Sequence, residues 1–138
     1  MANTVTDVMT KNPTKIRANQ TVREAAELMK AQDIGDLVVE DGGQVVGIVT
    51  DRDLVIRVLA TGGGAEDEVR NACSADLVTV SPDDPQEAAV NLMREKGVRR
   101  VPVMRGDDLV GILSIGDLAM ERDQESALAD ISAKQPNE

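Results

Sequence analysis

The chain has 138 residues, a formal charge of −10 and a pI near 4.4, and it contains no Phe, Tyr, Trp or His. An acidic chain with no basic stripe and no ring for bases to stack on is unsuited to nucleic acid. Lack of histidine also removes the commonest general base and metal ligand, so catalysis is poorly provided for.

Further classes fall away on the same grounds. No apolar run approaches the ~20 residues of a membrane span, and the N-terminus lacks a signal-peptide apolar region. The single cysteine, Cys73, cannot form an intramolecular disulfide, in keeping with a reducing compartment. A soluble, cytoplasmic protein without nucleic-acid or membrane partners is expected. Its length fits one domain of ~100–200 residues, with a core of Val, Ile, Leu, Met and Ala.

In chain order, Val5 to Thr10 reads as a half-turn broken by Asn12-Pro13, and Thr14 to Arg17 as a brief strand. Val22, Ala25, Ala26 and Met29 then form one helical stripe. Either Thr21, boxed with Glu24, or Gln20 caps its start, and Gly35 ends it. Strands at Asp36–Glu40 and Gln44–Val49 flank a hairpin turn at Asp41-Gly42-Gly43. A second helix carries Leu54, Val55, Val58 and Leu59 and stops at the Gly62-Gly63-Gly64 run.

The plan then restarts. Gly47-Ile48-Val49-Thr50-Asp51-Arg52-Asp53-Leu54 returns 64 residues later as Gly111-Ile112-Leu113-Ser114-Ile115-Gly116-Asp117-Leu118. In each copy a hydroxyl precedes a carboxylate by three residues at a strand-to-helix corner, the pattern of a capping box. Taken singly, such a cap contributes about 1 kcal/mol and has no functional content; its repetition implies a shared use. In the second half, Val78–Val80 reads as the first strand, and Asp84-Pro85-Gln86-Glu87 as a capped helix start before Ala89, Leu92 and Met93. Strands follow at Val98–Met104 and Leu109–Leu113, then a helix through Leu118 to Met120, a polar extension and a tail. Cys73 matches Met9 in the repeat and reads as a core residue. Asp83-Asp84 and Asp107-Asp108 read as solvated turn residues rather than metal ligands.

The division is residues 1–64, 65–122 and a C-terminal 123–138. Halves of about 55 residues are too small to stand alone, so one shared core between them is expected.

The doubled Gly-Ile-x-Thr/Ser-x-x-Asp-Leu motif, the Arg99-Arg100-Val101-Pro102-Val103 strand and the helices carrying Leu-Met resemble a tandem pair of cystathionine-β-synthase (CBS) domains, the Bateman module. The resemblance covers Val5 to Met120. It implies an α/β (α+β) fold of two pseudo-symmetric β-α-β-β-α motifs packed sheet to sheet, and a regulatory binding module rather than an enzyme. Its ligands would be an adenine nucleotide (AMP, ADP, ATP) or an S-adenosylmethionine-type compound, held between the motifs.

Carried over, Thr50 and Asp53 serve a first site and Ser114 and Asp117 a second, the aspartates on ribose hydroxyls and the hydroxyl residues near phosphate. Adenine would lie against Thr14 to Ile16 with Gly35 and Asp36, and against Val78 to Val80 with Arg100, Val101 and Pro102. Arg52 stands beside the first helix start, and Arg99 and Arg100 beside the second pocket. Because Asp36 matches Arg100, Val38 matches Pro102 and Arg52 matches Gly116, the sites should be unequal. The second is expected to prefer phosphorylated ligands and to depend more on its aspartate. The resemblance also implies a homodimer signalling to an effector protein; the alternative is an interaction module with empty clefts.

Overall fold

The computed structural model describes residues 3–73 and 77–119. A 3-10 turn, Val5–Asp7, leads into β1 (Thr10–Lys11) and β2 (Lys15–Arg17). Helix α1 (Val22–Gln32) follows, then β3 (Asp36–Asp41) and β4 (Gln44–Thr50). Next comes α2, which begins as Asp51–Asp53 and continues into a π turn, Leu54–Val58, and a 3-10 turn, Leu59–Thr61. A 3-10 turn at Val69–Ala72 precedes α3 (Gln86–Lys96), β5 (Arg100–Arg105), β6 (Asp108–Ser114) and α4, residues 115–119.

Two three-stranded sheets result, ordered β2-β3-β4 and β1-β6-β5. β2 runs parallel to β3, and both hairpins, β3–β4 and β5–β6, are antiparallel. Register shifts at Val39/Glu40 and Val103/Met104 repeat at the same offset in the two hairpins. The duplication therefore extends to backbone irregularities.

Several boundaries differ from the sequence reading. Thr21, not Gln20, caps α1, its hydroxyl accepting from Glu24 N–H; the Gln20 amide oxygen instead accepts from Arg17 N–H. The helix ends before Gly35, at Asp33, whose left-handed φ of 56° is one that Asp tolerates better than most residues. Asp84 does not cap α3. Pro85 holds that position while the Asp84 carboxylate accepts from Ser81 N–H. Val78–Val80 forms no strand; only Val80 bridges, in parallel, to Val103. In α2, Leu54 and Val58 are buried but Val55 and Leu59 are exposed, so the expected four-residue stripe is half outside. Met120, the polar extension and the tail lie outside the described residues.

Instead of one shared core there are two. Val22, Ala25, Leu37, Val39 and Val49 anchor the first, and Ala89, Met93, Val101, Val103 and Leu113 the second. Each is completed by the other half's lead-in. Val5, fully buried in the second core, donates its N–H to Asp84 O (2.9 Å), and β1 pairs with β6. Val69, 64 residues on, is buried in the first core and donates to Gln20 O (2.7 Å). Gln86 is a buried polar residue because this exchange satisfies it: its backbone N–H donates to Asn3 O and its side-chain amide to Thr4 O. The halves are held together by exchanged segments as much as by packed faces. Gly111 is needed here, since a Cβ would stand 2.7 Å from Thr10 O and 2.8 Å from Met9 Sδ.

Candidate functional site

The two repeated corners have the same backbone course but different side-chain chemistry. At the β4–α2 corner, Thr50 Oγ1 accepts from Asp53 N–H (3.1 Å) and Asp53 Oδ2 accepts from Thr50 N–H (2.9 Å). The second Asp53 oxygen lies 3.4 Å from Arg57 Nε. Asp51 N–H donates to Gly35 O (3.0 Å), and Arg52 N–H to Asp51 Oδ1 (2.8 Å). The carboxylate and the amides of the first turn are thus already engaged, and two acidic side chains occupy the corner.

At the β6–α4 corner, Ser114 Oγ accepts from Asp117 N–H (3.0 Å), and Ile115 N–H donates to Arg99 O (2.9 Å). There the likeness ends. Ile115 replaces Asp51, so no side chain of that residue covers the Gly116 amide. Among the described residues the Asp117 carboxylate has no hydrogen-bond or ion-pair partner.

Asp117 and Ser114 line a cleft of about 270 Å³. Its opposite wall comes from the first half: Pro13, Thr14, Ile34 and Asp36. Ile112, Arg100, Thr10 and Asn12 complete it. The volume sits just below the ~300–1,000 Å³ of small-molecule sites, enough for a nucleoside-sized group whose far end reaches solvent. Flat apolar faces come from Ile34, Ile112 and Pro13, which must serve in place of aromatic rings. Ser114 and Asp117 supply a hydroxyl and a carboxylate, while the Thr14 hydroxyl already donates to the Gln32 amide oxygen.

On the pseudo-symmetric side the described residues form a pocket of about 70 Å³ lined by Gly47, Ile48, Leu77, Val78, Val98, Arg100 and Pro102. Thr50 and Asp53 do not contribute to it. Arg100 in the small cleft occupies the repeat position that Asp36 holds in the open one.

Comparison with known proteins agrees with this duplicated architecture. The CBS domain family model matches residues 5–60 and again 69–123. This chain belongs to the CBS-domain family. It is 37% identical over 132 residues to the CBS domain-containing protein YhcV of Bacillus subtilis, covering 93% of this chain and 94% of that one. A CBS-domain protein of Burkholderia ambifaria superposes with a TM-score of 0.79 at 30% identity, over 87% of this chain and 93% of that one. The CBS domain pair of protein MJ0100, solved with 5′-methylthioadenosine and S-adenosyl-L-methionine, gives 0.81 at 23% identity, over 91% and 100% of the two chains. The chain is a CBS-domain pair, a regulatory and signal-transduction module.

Within this CBS pair the residues singled out from sequence divide clearly. Thr14, Asp36, Arg100, Ser114 and Asp117 meet in the open cleft, and Val78, Arg100 and Pro102 in the small one. The open cleft joins strand residues of the first CBS motif to the hydroxyl–carboxylate corner of the second. Ile16, Val80 and Val101 are core side chains, 2%, 4% and 0% exposed, and reach neither cleft. Gly35 backs Asp51, whose carboxylate would lie 3.4 Å from a Cβ there. Arg52 and Arg99 are exposed; Arg99 enters the corner through its carbonyl, not its guanidinium.

Arg100 is the largest departure from expectation. Its Nε lies 2.8 Å from Asp36 Oδ2. These are the same repeat position in the two CBS motifs, meeting as an ion pair across the pseudo-two-fold axis. Asn12, Pro13, Ile34 and Ile112 are lining residues that sequence reasoning missed. Asn12-Pro13 reads as a chain breaker, and its left-handed Asn12 (φ 55°) is what turns the segment into the cleft wall.

Cys73 packs against the first core, as Met9 does against the second. Burial, aided by the Asp53 carboxylate and opposed by Arg57, pushes its thiol up to about 11. At neutral pH it is protonated and no nucleophile.

Proposed function

We propose that this CBS pair is a non-catalytic sensor that holds an adenine nucleotide or related adenosyl compound in the Asp117 cleft. The observation that carries the reading is the contrast between duplicates: Asp53 is consumed by its own cap and Arg57, whereas Asp117 has no partner among the described residues and borders a nucleoside-sized cleft. A carboxylate can accept two hydroxyl hydrogen bonds, which suits a ribose diol. Ser114 adds a hydroxyl, and Ile34 and Ile112 supply apolar surface for a base. The MJ0100 pair, alike in fold, accommodates adenosyl groups.

The site spans the two CBS motifs, so occupancy is coupled to how they sit against each other, and that is what a partner would read. Exposed Val55, Ile56 and Leu59 on α2 provide an apolar face for homodimerisation. The smaller cleft, and the satisfied first corner, act as structural copies without ligand.

Thermal shift and calorimetry with adenosine, AMP, ADP, ATP and S-adenosylmethionine test the reading. A ligand at 100 times its Kd should stabilise by about 2.7 kcal/mol. No shift with any of these compounds would leave a dimerisation module with empty clefts.

A further inference from the structure

We infer that the Asp117 cleft selects its ligand by the charge at the 5′ end, taking neutral or cationic adenosyl compounds and rejecting nucleoside phosphates. This deepens the sensing reading and rests on it. Among the described residues two carboxylates, Asp36 and Asp117, line the cleft against one guanidinium, Arg100. Arg100 is already paired, Nε to Asp36 Oδ2 at 2.8 Å, with the two side chains 39% and 28% exposed. Partial burial leaves that pair less screened than a surface one. The charge left over is the Asp117 carboxylate.

An entering phosphate has two choices, both unfavourable. It can face the carboxylates with Arg100 still engaged, or it can draw Arg100 away and leave Asp36 as an unpaired anion beside it. A 5′ sulfonium or amine is attracted by the same carboxylates, and a thioether is indifferent to them. The inference reverses the phosphate preference expected from Arg99 and Arg100 in the sequence. The reversal comes from the repeat itself: one half places Asp where the other places Arg, and the two neutralise each other inside the site.

Titration calorimetry on the full chain with S-adenosylmethionine, 5′-methylthioadenosine, adenosine, AMP and ATP decides the matter. The first two should bind at least about tenfold tighter than AMP, with ATP weakest, the gap narrowing as salt rises. Asp36→Asn should free Arg100 and raise the affinity for AMP relative to that for 5′-methylthioadenosine on the order of tenfold. Arg100→Gln should lower the affinity for AMP relative to that for 5′-methylthioadenosine further, an independent variant should the first not fold; circular dichroism and melting check both. AMP or ATP binding more tightly than 5′-methylthioadenosine, or an Asp36→Asn ratio equal to wild type, overturns charge selection while sensing stands. Absence of binding by all five compounds overturns both.

Discussion

Replacing the duplicated aspartates one at a time should separate stability from binding. Asp53→Ala removes the acceptor of Thr50 N–H and the partner of Arg57. The cap is worth about 1 kcal/mol. The exposed i,i+4 pair adds about 0.3–0.5 kcal/mol. Asp117→Ala removes neither kind of contact. Both lose the helix-dipole contribution of about 0.3–1 kcal/mol, which cancels in the comparison. Asp53→Ala should therefore be less stable than Asp117→Ala by about 1–1.5 kcal/mol, roughly 3–6 °C in Tm. For ligand the order inverts: loss of the Asp117 hydrogen bonds to a ribose costs about 1.5–3 kcal/mol, ten- to a hundredfold in Kd. Asp53→Ala should leave Kd within about threefold. Urea unfolding and calorimetry with the best adenosyl ligand read the two effects, and Asp53→Asn, which keeps an acceptor oxygen, should recover most of the stability. Equal affinity losses, or equal stability losses, would refute the assignment of a structural role to one copy and a binding role to the other.

Three further outcomes follow from packing and titration. Val5→Ala should cost about 1–3 kcal/mol in urea unfolding, though Val5 is near the terminus, because it is fully buried in the second core. Gly111→Ala should cost about 1–3 kcal/mol by pushing Thr10 O and Met9 off β6, whereas Gly116→Ala, with nothing nearer than Ser114 Oγ at 3.7 Å, should be neutral or stabilising by up to about 1 kcal/mol. Cys73 should react slowly with a disulfide reagent at pH 8 in the native protein and quickly once unfolded. Since its folded value, about 11, is raised above the ordinary 9.0, the native state retains the proton longer. This contribution is present below about pH 9 and lost as pH rises to about 11, so a Cys73→Ala variant should show a shallower alkaline stability loss.

What was legible in the sequence is what is written locally. The Thr21–Glu24 and Thr50–Asp53 boxes, the hairpin turns and the 64-residue repeat depend on residues a few positions apart, and the structure forms them. The helix end moved because Asp33 takes a left-handed conformation that glycine was expected to supply. The missing stripe on α2 has the same character: the π turn Leu54–Val58 shifts which side chains face the core, and periodicity counted at 3.6 residues places Val55 and Leu59 wrongly. Long-range placement was not legible. Nothing local in Val5 says that it completes a core whose backbone partner is Asp84, nor that Asn12 to Thr14 forms the far wall of the Ser114 corner.

The repeat offset bears on why the two described clefts differ. In a two-fold arrangement, positions near the axis meet their own duplicates, so a single substitution in one copy alters both clefts. Asp36 and Arg100 are such a pair: Arg100 borders the open cleft and the small one alike. Were both residues arginine, two like charges would face each other near the axis. Being of opposite sign, they pair with each other without a ligand. Asp51 and Ile115 differ in the same sense: Asp51 Oδ1 accepts from Arg52 N–H, and Ile115 brings no such acceptor to the other corner. The asymmetry that satisfies the first corner internally is thus also what leaves the second with a carboxylate unpartnered among the described residues.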